Sequence, residues 1–327
     1  MTLKSIKITS FFKDASKIRI VAMPKILSRY PKIIVVLGPT ASGKSALAVE
    51  IAKKFGGEII SADSRQIYRG MNIGTAKPTK KELSSISHHL IDIKNPDQNY
   101  TVAEYKRDAI KAIKKVIGKK KLPILTGGTG LYIKAIIDNL DIPEVKPNFN
   151  LRKKIEKEIG KYGLNFVFKK LIKIDPEAAY IVDPNNPRRV IRALEIALKT
   201  KKPFSAQRKA GRPLFKFLEI GIKIPKIELE ARIDRRVDKM IKDGLVEEVK
   251  KLIKKYGEGQ QSFDAIGYCE IIEYSNKKIS LDEVIDLIKK NTRQYAKRQM
   301  TWFSKDKRIR WIKNQKPAEK LVKDFLF

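Results

Sequence analysis

The sequence contains few of the residues that form disulfides and zinc sites. Its one cysteine, Cys269, excludes an intrachain disulfide and is typical of a reducing compartment. One cysteine and two histidines, His88 and His89, cannot supply a Cys/His zinc site. We interpret the histidine pair, which precedes a predicted strand over residues 90–93, as structural rather than catalytic. No apolar run approaches the roughly 20 residues that span a bilayer, so we expect a cytoplasmic protein that does not bind membranes.

Acidic residues are also scarce. The chain of 327 residues holds 71 Lys and Arg against 36 Asp and Glu, a net charge of +35. Such an excess favours a polyanionic partner, above all nucleic acid. A lysine-rich proteome would give the same excess without function, so charge alone leaves both interpretations open. The length allows one large core or two modest ones, and we take a monomer as the default.

The N-terminal segment, residues 1–30, contains Asp14 as its only acidic residue. This composition is compatible with a transit peptide, but arginine is sparse and no cleavage signal is evident. We favour the alternative that translation starts at Met23, just before the first predicted strand. Residues 1–30 are therefore assigned as an N-terminal extension that is either partly untranslated or disordered.

The most informative motif is residues 38–45, which fit the phosphate-binding pattern G-x-x-x-x-G-K-S/T. An apolar run at residues 33–37 precedes it and a helical pattern follows, which is the strand–loop–helix context that the motif requires. Backbone N–H groups and the helix N-terminus attract phosphate, Lys44 adds a charge, and the Ser45 hydroxyl can hold Mg²⁺. The predicted diphosphate-binding residues are Gly38, Pro39, Thr40, Ala41, Ser42, Gly43, Lys44 and Ser45.

Two more predicted strands, residues 58–61 and 122–125, end at polar loops that span residues 62–68 and 126–130. A later strand is predicted over residues 217–224. Because these strands alternate with helical patterns, we expect an α/β fold in which helices flank a parallel sheet. Ligands of such sheets bind beyond the carboxyl ends of the strands, so the loops should converge on one site.

The domain boundaries follow from a change in composition. Residues 146–205 are basic and helical in pattern, with no predicted strand, and form an all-helical insertion domain. The core comprises residues 31–145 and 206–327, with C-terminal helices predicted at residues 226–256 and 281–304.

Six further sequence strings narrow the choice among protein families that contain a phosphate-binding loop. They are SADSRQIY at 61–68, GMNIGTAKP at 70–78, GGTGLY at 127–132, NPRRVIRALE at 186–195, AIGY at 265–268 and TRQYAKRQMTW at 292–302. Together they resemble the bacterial type of the tRNA isopentenyltransferase, or tRNA dimethylallyltransferase, family over about residues 32–313. The zinc finger of the eukaryotic branch is absent. Two positions depart from the family pattern, Arg188, where many members have Gln, and Asp264.

The resemblance implies a reaction and its partners. The family transfers a dimethylallyl group from dimethylallyl diphosphate to the exocyclic N6 amine of the adenosine 3′ of the tRNA anticodon, and releases diphosphate. The phosphate-binding loop would then hold the donor's diphosphate with Mg²⁺ as cofactor. The implied partners are dimethylallyl diphosphate and the anticodon stem-loop of tRNA.

The resemblance also implies roles for single residues. Asp63 matches the base that removes the amine proton, Arg236 matches an arginine on the diphosphate, and Thr129 matches a threonine near the bridging oxygen. The alternative for Asp63 is a residue that binds or orients Mg²⁺. The implied tRNA-binding residues are Asp63, Ser64, Arg65, Gln66, Thr129, Arg152, Arg188, Arg189, Val190, Ile191, Arg192, Asp264, Ala265, Ile266, Gly267, Tyr268 and Cys269. For any single arginine the alternative is a solvated helix face.

Three other functions compete with this interpretation. A small-molecule kinase also combines a phosphate-binding loop with an insertion, but it needs a nucleotide donor. A non-catalytic RNA-binding module would explain the charge but not Lys44 and Ser45. An adenylate isopentenyltransferase would share the core but would not need the basic insertion.

Overall fold

The computed structural model describes residues 30–327 apart from residues 144, 146 and 209. The predicted N-terminal extension lies outside the described residues except for Tyr30. The strands are β1 (Lys32–Leu37), β2 (Gly57–Ser61), β3 (His88–His89), β4 (Leu122–Gly127), β5 (Lys216–Ile222) and β6 (Arg310–Ile312). They form one sheet in the order β3-β2-β4-β1-β5-β6, and every neighbouring pair is parallel. The predicted parallel α/β sheet is confirmed.

Helices flank the sheet and fill the C-terminal half. They are α1 (Lys44–Phe55), α2 (Lys80–Ser85), α3 (Val102–Gly118), α4 (Gly130–Ile137), α5 (Phe149–Tyr162), α6 (Leu164–Ile174), α7 (Ala178–Ile181), α8 (Pro187–Thr200), α9 (Lys226–Lys242), α10 (Leu245–Tyr256), α11 (Tyr268–Ser275), α12 (Leu281–Phe303) and α13 (Lys316–Leu326). Short 3-10 helices span Ser205–Arg208 and Gln261–Asp264. In the part of the chain that the structure describes, no helix combines the length and apolar character that crossing a membrane requires.

The central strand β1 is buried on both faces. Side chains of Ile33, Val35 and Leu37 pack with α3 and α4, whereas Ile34 and Val36 pack on the opposite face with α1 and α13. Burying one such side chain stabilises the fold by about 1.5–3 kcal/mol. The continuous apolar run therefore specifies an interior parallel strand, and the loop that follows it is held rigidly at the sheet's edge.

The helices outside the sheet form two further cores. Helices α5 to α8 pack around one another in a cluster that includes Val167, Leu171 and Leu194. Helices α9 to α12 form the other cluster, in which Ile67 and Met71 of the loop after β2 are buried. The predicted helix after residue 186 is confirmed as α8, since the Asn186 side chain accepts a hydrogen bond from the Arg189 N–H and Pro187 opens the helix.

The predicted strand at residues 90–93 is wrong. The strand is the histidine pair itself, which pairs in parallel with β2. It ends because Leu90 and Asp92 adopt left-handed backbone conformations, with φ of 64° and 55°. The Asp92 carboxylate accepts a hydrogen bond from Lys77 Nζ at 2.5 Å, which holds the chain away from the sheet.

Two other predicted elements have different bounds. Residues 226–256 form two helices, because Gly244 turns the chain with φ of 95° after α9 ends. Strand β5 ends at Ile222 rather than at residue 224.

Candidate active site

The loops after β1, β2 and β4 meet at one edge of the sheet. The Ala62 N–H donates to the Thr126 carbonyl at 2.7 Å, and the Thr129 N–H donates to the Ala62 carbonyl at 3.2 Å. An alanine-sized side chain at Gly127 would lie 2.1 Å from the Ala62 carbonyl oxygen, so this close approach requires glycine. The loops border a cavity of about 780 Å³. The predicted convergence of these loops is confirmed.

The phosphate-binding loop, residues 38–45, forms one wall of this cavity. Gly43 has φ of 91° and directly precedes α1, so Lys44 and Ser45 stand in the first turn of that helix. Lys44 Nζ donates to the Pro39 carbonyl at 3.2 Å, across its own loop. The residues of the loop that line the cavity are Thr40, Ala41, Gly43, Lys44 and Ser45. The other three, Gly38, Pro39 and Ser42, are buried.

Two cations, Lys44 and Arg236, line the cavity, and neither forms an ion pair with a described residue. Burial, and then the nearby charge of Arg236, lower the pKa of Lys44 to about 8, although Asp63 raises it in part. Arg236 Nη1 donates to the Thr40 hydroxyl at 3.3 Å, and burial lowers the pKa of the guanidinium as well. Because burial disfavours the charged forms of both groups, an anionic ligand is favoured here, since its negative charge stabilises both cations.

Asp63 lines the cavity after β2 and is fixed by its own loop. Its Oδ1 accepts hydrogen bonds from the N–H groups of Arg65 at 2.8 Å and Gln66 at 3.3 Å. Its Oδ2 accepts none from the described residues. The neighbouring Ser64 N–H donates to the Thr129 hydroxyl at 3.1 Å, which ties this loop to the one after β4. The carboxylate is therefore oriented, with one oxygen left for a substrate.

A second layer of contacts supports Gln66. Its Nε2 donates to the carbonyls of Thr75 and Ala76, each at 3.3 Å. That segment is held in turn by Glu248 of α10, whose carboxylate accepts hydrogen bonds from the N–H groups of residues 72–74 at 2.9–3.3 Å. No sequence pattern indicates this role for Glu248, because an acidic residue on an amphipathic helix has the same pattern as a solvated one.

Some residues of the segment 264–269 line the cavity, and others are buried in the core. Its cavity-lining residues are Asp264, Ala265, Ile266 and Gly267. Tyr268 is fully buried and its hydroxyl donates to Glu248 at 2.7 Å, so its side chain supports the loop rather than facing RNA. Burial, together with Glu270, raises the pKa of Cys269 to about 12, and its thiol donates to that carboxylate.

The predicted tRNA-binding residues of the insertion lie in different environments. Arg152 and Arg192 both donate to Oε2 of the fully buried Glu195, with shortest distances of 2.9 and 2.6 Å. Val190 and Ile191 are buried in the insertion's own core. The side chains of those two apolar residues therefore support the insertion's core, and their predicted contact with tRNA stays a prediction.

The two departures from the family pattern lie against each other. Arg188 Nη1 is 3.5 Å from Asp264 Oδ2, and both side chains are exposed. The pair joins the start of α8 to the loop at the cavity wall. The next residue, Arg189, is exposed and its guanidinium forms no ion pair with a described residue. Its predicted contact with tRNA stays a prediction.

The histidines contact the protein rather than one another. His89 Nε2 lies 2.8 Å from the buried Glu58 carboxylate, and His88 Nδ1 lies 2.8 Å from the Ile86 carbonyl. Burial raises the pKa of Glu58, but hydrogen bonds from Lys121, His89 and Lys119 outweigh it and lower the pKa to about 2. These contacts fit the structural role expected for the pair.

The oxygen donors at the cavity fit Mg²⁺. Ser45 and Asp63 line it, and so does Thr126, whose buried hydroxyl has no hydrogen-bond partner among the described residues. Within the described ranges no group of three or more His, Cys, Asp and Glu could hold a metal. Mg²⁺ commonly takes one or two protein oxygens together with substrate phosphates, and Ser45 and Asp63 are oxygen donors of that kind.

Five of the other cavity-lining residues were assigned no role from the sequence, and three of them lie in the string at residues 292–302. They are Arg232, Arg235, Tyr295, Arg298 and Gln299. The string at residues 292–302 was the available signal, but it does not show which face of the helix turns inward.

The fold and the site define a class of protein, an α/β protein in which a phosphate-binding loop and a carboxylate, Asp63, line the same cavity. A family model described as IPP transferase matches residues 66–306, so the chain belongs to the IPP transferase family.

Individual relatives and solved structures match this chain over most of its length. It is 45% identical over 301 residues to the tRNA dimethylallyltransferase of Acetivibrio thermocellus, which covers 90% of this chain and 96% of that relative. It is 47% identical over 290 residues to the enzyme of the same name from Pelotomaculum thermopropionicum, covering 88% and 92%. The structure of a tRNA isopentenylpyrophosphate transferase from Bacillus halodurans matches with a TM-score of 0.66 at 39% identity, covering 91% and 96%. A eukaryotic dimethylallyltransferase acting on tRNA matches with a TM-score of 0.71 at 31% identity, covering 83% and 69%.

Proposed function

We propose that this chain transfers a dimethylallyl group from dimethylallyl diphosphate to the N6 amine of the adenosine 3′ of the tRNA anticodon. The relatives are named tRNA dimethylallyltransferases, and membership of their family gives this chain the same reaction class, prenyl transfer to tRNA. The observation that carries the finer proposal is that Lys44, Arg236 and Asp63 line one cavity.

The donor's diphosphate binds the loop at residues 38–45. The C–O bond between the allylic carbon and the diphosphate breaks, and its electron pair stays on the leaving oxygen. Lys44 and Arg236 stabilise this growing negative charge, and the N-terminus of α1 adds positive potential. Both cations are in place before the reaction, so no reorganisation is needed at that moment.

The acceptor amine binds at Asp63. An adenine amine is a weak nucleophile because its lone pair is delocalised into the ring. A hydrogen bond from the amine to Asp63 Oδ2 orients it, the lone pair forms the bond to the allylic carbon, and the carboxylate takes the released proton. The two backbone hydrogen bonds on Oδ1 hold the carboxylate in position for this transfer.

Mg²⁺ is the cofactor that we propose. Ser45 would hold it, with Asp63 or Thr126 in reach of the same cavity. When bound, the ion supplies positive charge to the leaving diphosphate.

The target base must leave its stack to reach the cavity. Residues 264–267 line the cavity, and the net charge of +35 attracts the tRNA backbone. We infer that the insertion, α5 to α8, binds the anticodon stem-loop.

One experiment tests the proposal. The enzyme is incubated with labelled dimethylallyl diphosphate, Mg²⁺, and either tRNA or AMP, with a matched reaction containing EDTA. We expect label in tRNA at the adenosine 3′ of the anticodon, and none in AMP. Label in AMP would favour an adenylate isopentenyltransferase. No transfer to either, with phosphate moving from ATP to a small molecule, would favour a kinase.

A further inference from the structure

Gln299 of α12 contacts both halves of the active site with one amide group. Its Oε1 accepts a hydrogen bond from the Thr40 N–H at 2.8 Å, and its Nε2 donates to the Gly128 carbonyl at 2.9 Å. The side chain is 6% exposed and lines the cavity. Each amide atom thus has the partner that its chemistry requires, which fixes the orientation of the amide.

The two loops that Gln299 joins have different tasks. Thr40 belongs to the phosphate-binding loop, and its hydroxyl accepts a hydrogen bond from Arg236. Gly128 immediately precedes Thr129, whose hydroxyl accepts a hydrogen bond from the Ser64 N–H, next to Asp63. A continuous set of contacts therefore runs from the cation on the diphosphate side, through Gln299, to the loop that carries the base.

Helix α12 packs so closely on the loop after β4 that two positions of this loop require glycine. A Cβ at Gly128 would lie 2.2 Å from Gln299 Nε2, and a Cβ at Gly130 would lie 2.2 Å from Trp302 Cδ1. The glycines of this loop are needed because the helix lies against its backbone. The helix therefore sets the position of the loop through the side chains of Gln299 and Trp302, which lie directly against the loop's backbone.

The hydrogen bond from the Thr40 N–H to Gln299 also determines which groups of the phosphate-binding loop can contact a phosphate. Its N–H group is already occupied by Gln299, so Thr40 meets a diphosphate through its hydroxyl rather than through its backbone. The loop's other cavity-lining residues, Ala41, Gly43, Lys44 and Ser45, remain for backbone contacts with phosphate.

We propose that Gln299 is a positioning residue that sets the distance between the diphosphate of the donor and the amine held by Asp63. This inference rests on the proposed function, because it assigns the two loops to donor and acceptor. Misplacing reacting groups by about 1 Å costs up to roughly a hundredfold in rate. Loss of Gln299 should therefore lower kcat and donor affinity, while tRNA affinity is retained.

Two substitutions test the role. Q299L removes both hydrogen bonds without adding charge. Q299E keeps the size and can still accept from the Thr40 N–H, but its carboxylate cannot donate to the Gly128 carbonyl. Q294E is the matched control, because Gln294 is an exposed residue of the same helix and the charge change is identical. For each variant, kcat, the donor KM, the tRNA Kd and the thermal unfolding temperature are measured.

For Q299L we expect kcat to fall roughly tenfold to a hundredfold and the donor KM to rise, with the tRNA Kd within about twofold of wild type. For Q299E we expect a similar loss at pH 8 that becomes smaller at pH 5.5, relative to wild type at the same pH. The reason is that the protonated carboxyl can again donate to Gly128, which a purely structural role would not predict.

Two results would overturn the inference. One is wild-type kinetics in Q299L, and the other is an equal loss of donor and tRNA affinity in both variants with no recovery at pH 5.5. Failure of the proposed function is distinguishable, because wild-type enzyme would then put no dimethylallyl label into tRNA at all.

Discussion

The lowered pKa of Lys44 predicts that donor binding is coupled to proton uptake. In the free enzyme its pKa is about 8, because of burial and the charge of Arg236. The ammonium form, which attracts diphosphate, therefore makes up about nine-tenths of the free enzyme at pH 7 and is lost as the pH rises through 8. A bound diphosphate supplies opposite charge and raises the pKa again, so the bound enzyme keeps the proton.

The size of the effect follows from this titration. If only the protonated form binds, the Kd for dimethylallyl diphosphate rises about twofold at pH 8 and about elevenfold at pH 9, relative to its value at low pH. At pH 9 about nine-tenths of the free enzyme has neutral Lys44, so each binding event takes up about 0.9 proton. Titration calorimetry in two buffers of different ionisation enthalpy measures both quantities without tRNA.

The matched control is K44R, since a guanidinium stays charged over this range. It should bind the donor more weakly but with a Kd that does not change between pH 7 and 9.5. A flat Kd in the wild type over the same range would refute the reasoning, and so would an equal pH dependence in K44R. Either result would mean that Lys44 is not the group whose charge holds the diphosphate.

Two further predictions concern buried or oriented carboxyl groups. D63N should lower the single-turnover rate by about 10²–10⁴, because the amide cannot take the amine proton. The Kd values for donor and tRNA should stay within about twofold of wild type. A rate loss below about threefold would show that Asp63 is not the base. E219Q should raise the thermal unfolding temperature at pH 9 and leave it nearly unchanged at pH 5. Burial and then Asp306 raise the pKa of Glu219 to about 8, although Arg308 lowers it in part. The folded state is therefore favoured while Glu219 is protonated, and the protein loses stability as the pH rises through 8. An equal effect of E219Q on the unfolding temperature at both pH values would contradict this assignment.

Much of the site was readable from the sequence because its signals are local. The phosphate-binding loop needs only eight consecutive residues, and the apolar run before it specifies a strand that is buried on both faces. Asn186 and Pro187 predicted the start of α8 correctly, since capping depends on neighbours within three residues. The convergence of the loops followed from the rule for parallel strands.

The parts that could not be predicted depend on distant contacts. Glu248 holds a loop about 175 positions away, and Gln299 joins Thr40 across 259 positions. No local pattern separates these side chains from solvated ones. The false strand at residues 90–93 has a similar origin, because the left-handed turn at Asp92 is fixed by Lys77, fifteen positions earlier.

The difference between local and distant contacts also decides which arginine substitution can test the predicted tRNA-binding residues. Residue spacing groups Arg189 with Arg192, and a double charge reversal would follow from the sequence alone. In the structure Arg192 donates to the buried Glu195, so R192E would place a second carboxylate beside it and destabilise the insertion. A loss of tRNA binding in the double variant would not show which residue contacts RNA.

Arg189 is exposed and can be reversed alone. R189E should weaken tRNA binding and flatten the log–log dependence of affinity on salt by roughly 0.7–0.9 for one lost phosphate contact. Donor affinity and the unfolding temperature should not change, because Arg189 is exposed and the proposed diphosphate site is the loop at residues 38–45. The control K320E makes the same charge change at an exposed position of α13, and should leave the slope unaltered. If R189E and K320E have equal effects on tRNA Kd from 50 to 200 mM salt, Arg189 belongs to a solvated helix face and the attraction is only that of the net charge.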